Sequence, residues 1–96
     1  MEKSINDQMR EQIHQAVREV QIARGRAVPA AIGDSARPIG DVVGFDAADG
    51  AEATRRLEEL WSCPFGDNLF LEWKGTRPQT ITEIVSAMMN LQAHGF

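Results

Sequence analysis

The chain has 96 residues, 43% of them hydrophobic and 25% charged, with a formal net charge of -4. That is enough for one domain around one modest core, and too little for a deep catalytic cleft plus a second lobe. The composition is that of a chain that folds, and its acidic balance speaks against nucleic acid, whose binding draws on clustered basic groups; mild acidity suits docking onto basic patches of other proteins.

From Ser4 to Ala23, apolar residues at Ile5, Met9, Ile13, Ala16, Val17 and Val20 recur at the three- and four-residue spacing of one helical face. Ser4 is placed to cap this helix and Gly25 to stop it. The opening stretch, Met1 to Gln15, is charged and lacks an uninterrupted apolar run. Neither a secretory signal nor a membrane span is expected, and the cytoplasm is the expected compartment. Met1 and the charged first helix lead us to expect a standalone protein, a single domain over 1–96.

Gly25 to Val43 holds Gly25, Pro29, Gly33, Asp34, Ser35, Pro38 and Gly40 with no sustained period, and reads as a long ordered loop. Val28, Ile32, Ile39, Val42 and Val43 are expected to pin it to the core. A second helix is expected from Asp46, a good N-cap, with Ala47, Ala51, Leu57, Leu60 and Trp61 at near-helical spacing and Thr54 on the same face. Asp49 and Glu52 sit near its positive end, where carboxylates are favoured. Gly50 costs this helix roughly 1 kcal/mol relative to alanine.

Pro64, Gly66 and Asp67 break the pattern, and Leu69, Phe70, Leu71 and Trp73 form a short apolar patch that reads as either one helical turn or extended chain. After Gly75 and Pro78, Thr80-Ile81-Thr82-Glu83 is a capping-box pattern. Ile81, Ile84, Val85 and Met88 then repeat at helical spacing, so a last helix starts at Thr80.

Taken together, Gly44-Phe45-Asp46-Ala47-Ala48-Asp49-Gly50, the charged run Arg55 to Leu60, the turn Pro64-Phe65-Gly66-Asp67 and the capped segment Thr80 to Val85 resemble the acyl and peptidyl carrier protein family. The resemblance covers Val42 to Met88. It implies an all-α, acyl-carrier-like four-helix bundle, with a long loop between the first and second helices and a short third helix. In that family an Asp-Ser-Leu core opens the second helix, and the serine carries 4'-phosphopantetheine; here the string is Asp46, Ala47, Ala48, Asp49. Ala47 occupies the attachment position and has no oxygen to offer, so this chain cannot take the arm. Ala48 replaces the leucine that helps form the apolar surface read by partners.

The resemblance implies a non-enzymatic carrier that, with serine at 47, holds an acyl or aminoacyl group as a thioester for a specialised biosynthetic pathway. Its partners would be a phosphopantetheinyl transferase and acyl- or aminoacyl-transferring enzymes, docking on Ala48, Asp49, Glu52, Arg55 and Arg56, with Asp46 beside the attachment point. A monomer that binds neither nucleic acid nor membrane is expected. Ala47 is either an engineered replacement of serine or a natural loss of the attachment point. The alternative function is accordingly a non-carrying homologue that serves as a docking or scaffold module.

Other residue types invite chemistry and read more simply. Ser35 follows an aspartate but precedes no helix start, and reads as a turn serine. Cys63, the sole cysteine, can form no internal disulfide and has no positive cluster beside it, so a partly buried structural residue is expected. His14 and His94 lack metal-site spacing and read as surface residues. Glu58 and Glu59 read as a solvated face, and Glu52 is placed to pair with Arg55 and Arg56 along the helix. Trp61, Trp73, Phe45, Phe65 and Phe70 read as core and core edge, with a slot for a tethered acyl chain as the sharper alternative.

Overall fold

The computed structural model describes residues 4–72 and 77–94, and within them four helices carry the architecture. The first, α1, runs Ile5–Ala23. Ser4 caps it from an extended backbone, its Oγ accepting from the Asp7 N–H at 3.1 Å. Met9, Ile13, Ala16, Val17 and Val20 form the buried stripe as the sequence periodicity has it, except that Ile5 at the helix start is exposed and polar Gln21 joins the inward face.

The loop that follows is pinned, though by fewer residues than its composition implies. Ile32 and Val42 are buried and Ile39 packs at the core edge, while Val28 and Val43 are 44% and 74% exposed. Its middle is fastened to the start of the last helix. The N–H groups of Ile81 and Thr82 donate to the carbonyls of Ala36 and Asp34 at 3.0 and 3.1 Å. Helix N–H groups that would otherwise lack partners are thereby satisfied by loop carbonyls. Near its end the loop makes one distorted turn, α2, over Pro38–Asp41, with proline in its first turn.

The helix α3, Ala47–Trp61, begins where expected, and its buried face agrees with expectation only in part, at Thr54 and Leu57. Asp49, Gly50, Ala53, Thr54 and Leu57 are inside, whereas Ala47 is exposed and Leu60 is 58% exposed. The polar members of the buried face are all satisfied. Thr54 Oγ1 donates to the Gly50 carbonyl at 2.8 Å and accepts from the Leu69 N–H at 2.9 Å. Thr54 is on the face expected for it; because hydrogen bonds also let an aspartate point inward, apolar spacing alone misses Asp49.

Between α3 and α4 the expected short helix does not occur among the described residues. The chain there is extended: Gln79 N donates to the Phe70 carbonyl at 2.9 Å, Glu72 N donates to Arg77 O at 2.8 Å, and Leu71 bridges Pro78 in antiparallel fashion. The short helical element is α2, which precedes α3 rather than following it. The reason is local pairing. Phe70 O and Glu72 N find their partners on Gln79 and Arg77, and so are not available to a helical ladder. Trp73, assigned to the apolar patch, lies outside the described residues.

The last helix, α4, runs Ile81–His94. Its capping box is made: Glu83 N donates to Thr80 Oγ1 at 3.1 Å and Thr80 N to Glu83 Oε1 at 2.8 Å. Packing centres on α1, which contacts both α3 and α4. The core joins Met9, Ile13 and Val17 to Leu57 and to Ile84 and Met88, and Phe45 and Phe70 seal it with ring centroids 5.4 Å apart. No helix among the described residues is long and apolar enough to cross a membrane.

Candidate functional site at the start of α3

The residues singled out in the sequence fall on the first three turns of α3, and the chain fastens this helix start from both sides of its cap. Asp46 is extended and its carboxylate accepts from the Asp49 N–H at 3.1 Å, while Asp49 accepts from the Asp46 N–H at 3.1 Å. This is a reciprocal capping box with aspartate in both places. Ala47 and Ala48 follow, both exposed on the first turn. The adjacent Gly44, at φ 76°, turns the loop into this cap in a conformation that favours glycine.

Asp49 corrects the sequence reading. Placed there among docking residues, it is 1% exposed and faces inward. Arg24 Nε lies 3.1 Å from its Oδ1, and Arg26 hydrogen-bonds its Oδ2. Burial works against the charged carboxylate, but the Arg26 hydrogen bond, the Asp46 N–H and the Arg26 charge outweigh it and hold the pKa below the ordinary value of 3.8. The carboxylate is thus a fastening between the start of α3 and the stretch just after α1, where Arg24 caps the helix and Arg26 opens the loop, rather than a surface group. Behind it, fully buried Gln21 donates from Nε2 to the carbonyls of Ala27 and Val43 at 3.0 and 2.7 Å, tying both ends of the long loop together.

On the outer flank, Glu52 pairs with Arg55, and Arg56 Nε lies 3.4 Å from the same carboxylate. The Arg55 hydrogen bond chiefly lowers the Glu52 pKa and correspondingly raises that of Arg55. Arg56 also reaches Glu19 of α1 at 3.2 Å. The expected pairing along the helix is therefore present, and the mixed charges of this flank are largely matched to one another. Glu58 is not simply solvated, because its carboxylate accepts the Phe65 N–H at 2.7 Å. A shallow groove of about 570 Å³ runs between Ala48, Ala51 and Arg55 on one side and Pro64 and Asp67 on the other.

Several site-building residues carried no signal in the sequence. Asn68 donates to the Ala47 carbonyl at 2.8 Å, and Arg24, Arg26 and Gln21 complete the buried network. What the sequence itself signals here is Asp46 as the cap and the pairing of Glu52 with Arg55 and Arg56. Of the other candidates, Ser35 lies exposed in a turn and Cys63 is a buried free thiol. His14 is half-buried rather than on the surface; the side chain of His94 lies outside the described residues. No group of three or more His, Cys, Asp or Glu among the described residues could hold a metal ion.

Phe45, Phe65 and Phe70 are packed into the core, with Trp61 half-buried at its edge. The larger apolar opening is elsewhere, a cleft of about 610 Å³ between Phe65, Leu69 and Leu71 of the connection and Ala87 and Leu91 of α4. Compared with family models, curated proteins and solved structures, the chain matches none of them. The start of α3 is therefore read from its own chemistry.

Proposed function

We propose that this chain is a carrier-type protein whose working surface is the start of α3. In a serine-bearing form, residue 47 would hold 4'-phosphopantetheine and, on it, an acyl or aminoacyl thioester handed between the enzymes of a specialised pathway. The observation that carries this reading is the placement of residue 47: exposed, in the first turn, on a helix whose cap is locked from both sides. A phosphodiester there would lie at the positive end of the helix dipole, near N–H groups that have no intrahelical partner. Helices α1, α3 and α4 around one core, joined by a long pinned loop, support an acyl-carrier-like bundle as its fold. The short helix stands before α3 instead of after it.

The residues present do not fit the arm itself. Ala47 supplies no oxygen for a phosphodiester bond, so no step through the cofactor belongs to this chain as it stands. That observation favours a second reading, in which the protein is a non-carrying homologue that docks through the same surface. Exposed Ala48, with Glu52, Arg55 and Arg56 on the flank, is the surface either form would show to a phosphopantetheinyl transferase or an acyl-transferring enzyme. The protein acts in both readings as a docking partner and not as a catalyst.

One experiment separates them. The Ala47→Ser variant is incubated with coenzyme A and several phosphopantetheinyl transferases, and its mass is measured. A gain equal to phosphopantetheine, absent in the parent chain, supports the carrier. A folded variant that none of the transferases modifies sinks it and leaves the docking module.

A further inference from the structure

One face of α1 holds the middle of the long loop. Arg10 Nε pairs with Asp34 Oδ1 at 2.7 Å, and Arg18 donates from Nη2 to the Ala30 carbonyl at 2.7 Å. His14 lies between them, four residues from each, on the same side of the helix. The start of α4 grips the same stretch, through Ile81 N to Ala36 O at 3.0 Å and both Thr82 N and Thr82 Oγ1 to Asp34 O at 3.1 and 3.2 Å. Within this joint His14 is half-buried, and its Nε2 is buried with no hydrogen-bond partner.

A neutral imidazole tolerates that setting far better than a charged one. Protonation makes both ring nitrogens donors, leaves a buried N–H without an acceptor, and adds a third cation between Arg10 and Arg18. The charged groups acting on His14 are Arg18, Arg10 and Glu11 from its own helix and Asp34 from the loop. Asp34 favours the imidazolium, but its carboxylate is already engaged by Arg10. We propose that His14 is a proton-operated latch on the 28–36 loop: neutral, it lets the loop dock between α1 and α4; protonated, it drives the loop off. Burial first, then Arg18, hold the pKa of docked His14 below its ordinary 6.5, with Asp34 opposing.

The sign follows from linkage. The released loop leaves His14 closer to its ordinary value, so the released state binds the proton more tightly. Opening therefore rises as pH falls through that value, and levels off below the docked one. Release would withdraw buried Ile32 from the core and slacken the segment that leads into Asp46. The latch rests on α1, the loop and α4 alone, and stands whether or not residue 47 belongs to a carrier.

Amide hydrogen exchange of Ile81 and Thr82, whose N–H groups end on loop carbonyls, reads the docked fraction in the full chain. Between about pH 7.5 and pH 5, where carboxylates stay ionised, protection corrected for intrinsic rates is expected to fall several-fold, up to about tenfold. Interior amides of α3 should keep theirs, and the midpoint should coincide with the His14 imidazole titration followed by NMR in the same sample. His14→Gln should flatten the response. Constant protection while His14 titrates, a midpoint that follows His94, a parallel loss in α3, or an unchanged response in folded His14→Gln would each overturn the latch. The first three need no variant.

Discussion

Asn68 Nδ2 donates to the Ala47 carbonyl at 2.8 Å, fastening the turn after α3 across the first turn of that same helix. Its Oδ1 accepts from the Phe70 N–H at 3.0 Å, so the amide is used at both ends. Beneath it lies buried Gly50, where an added Cβ would stand 2.7 Å from Asn68 Oδ1 and 3.0 Å from Phe70 Cβ. The glycine that weakens the helix locally is what lets this turn lie flat against it.

Gly50→Ala is accordingly expected to destabilise the protein. The propensity gain of about 1 kcal/mol is outweighed by a steric clash of about 2–3 kcal/mol, because the Asn68 amide is held by hydrogen bonds at both ends and Phe70 is fully buried. Gly33, where nothing lies within 4 Å of an added Cβ, is the control. Gly33→Ala should stay within about 0.5 kcal/mol of the parent. Urea midpoints of the two variants at constant m-value decide the matter; equal midpoints would mean that the close approach at Gly50 costs nothing.

Thr80→Ala should cost about 1 kcal/mol through loss of the α4 cap. It should also raise the pKa of Glu83, which is held down first by the Thr80 backbone N–H and further by the Thr80 side chain. The two readouts are separable: denaturation measures the cap, and carbon-detected titration of Glu83 measures the carboxylate. Loss of stability with Glu83 unmoved would show that the hydroxyl contributes without organising the box.

Ala47→Ser is expected to leave the fold intact, within about 0.5 kcal/mol, since residue 47 is exposed and its helix is capped by Asp46. Thermal unfolding of parent and variant side by side checks this. The modification assay is only interpretable if it holds.

The three long helices were legible because their ends are written in cap chemistry: Ser4 for α1, Asp46 for α3, Thr80 with Glu83 for α4. Apolar period then places the middle of α1 correctly, since Met9, Ile13, Ala16, Val17 and Val20 are all buried, but it misses buried Gln21 and credits Ile5, which is exposed. On α3 the same reasoning credits Thr54 and Leu57 rightly but also Ala47 and Leu60, which are exposed, and misses Asp49, which is buried only by virtue of Arg24 and Arg26 more than twenty residues away. Arg24, Arg26 and Asn68 look like any surface residues until the loop brings them to Asp49 and Ala47. The run Leu69 to Leu71 stayed ambiguous for a related reason: its conformation is set by pairing with 77–79, a contact no local pattern encodes. Start positions were readable; what each start is tied to was not.

Asp49 gives the sharpest pH prediction. Its folded pKa lies below the ordinary carboxylate value of 3.8, so the unfolded chain binds the proton more readily than the native one. Its contribution is therefore complete above that value and is lost as pH falls from there through the folded pKa. Asp49→Asn should remove this acid-side slope. It should also cost about 2–3 kcal/mol at neutral pH, less than a fully enclosed ion pair because Arg24 and Arg26 keep part of their hydration. Asp46→Ala breaks the other half of the same box but leaves the arginines paired, so it should cost only about 1 kcal/mol and retain most of the slope. Stability measured from pH 7 down to about pH 3 for the three proteins distinguishes the roles. If Asp46→Ala proved the more damaging change, the α3 start would owe its rigidity to the cap alone and the buried arginine contacts would be incidental.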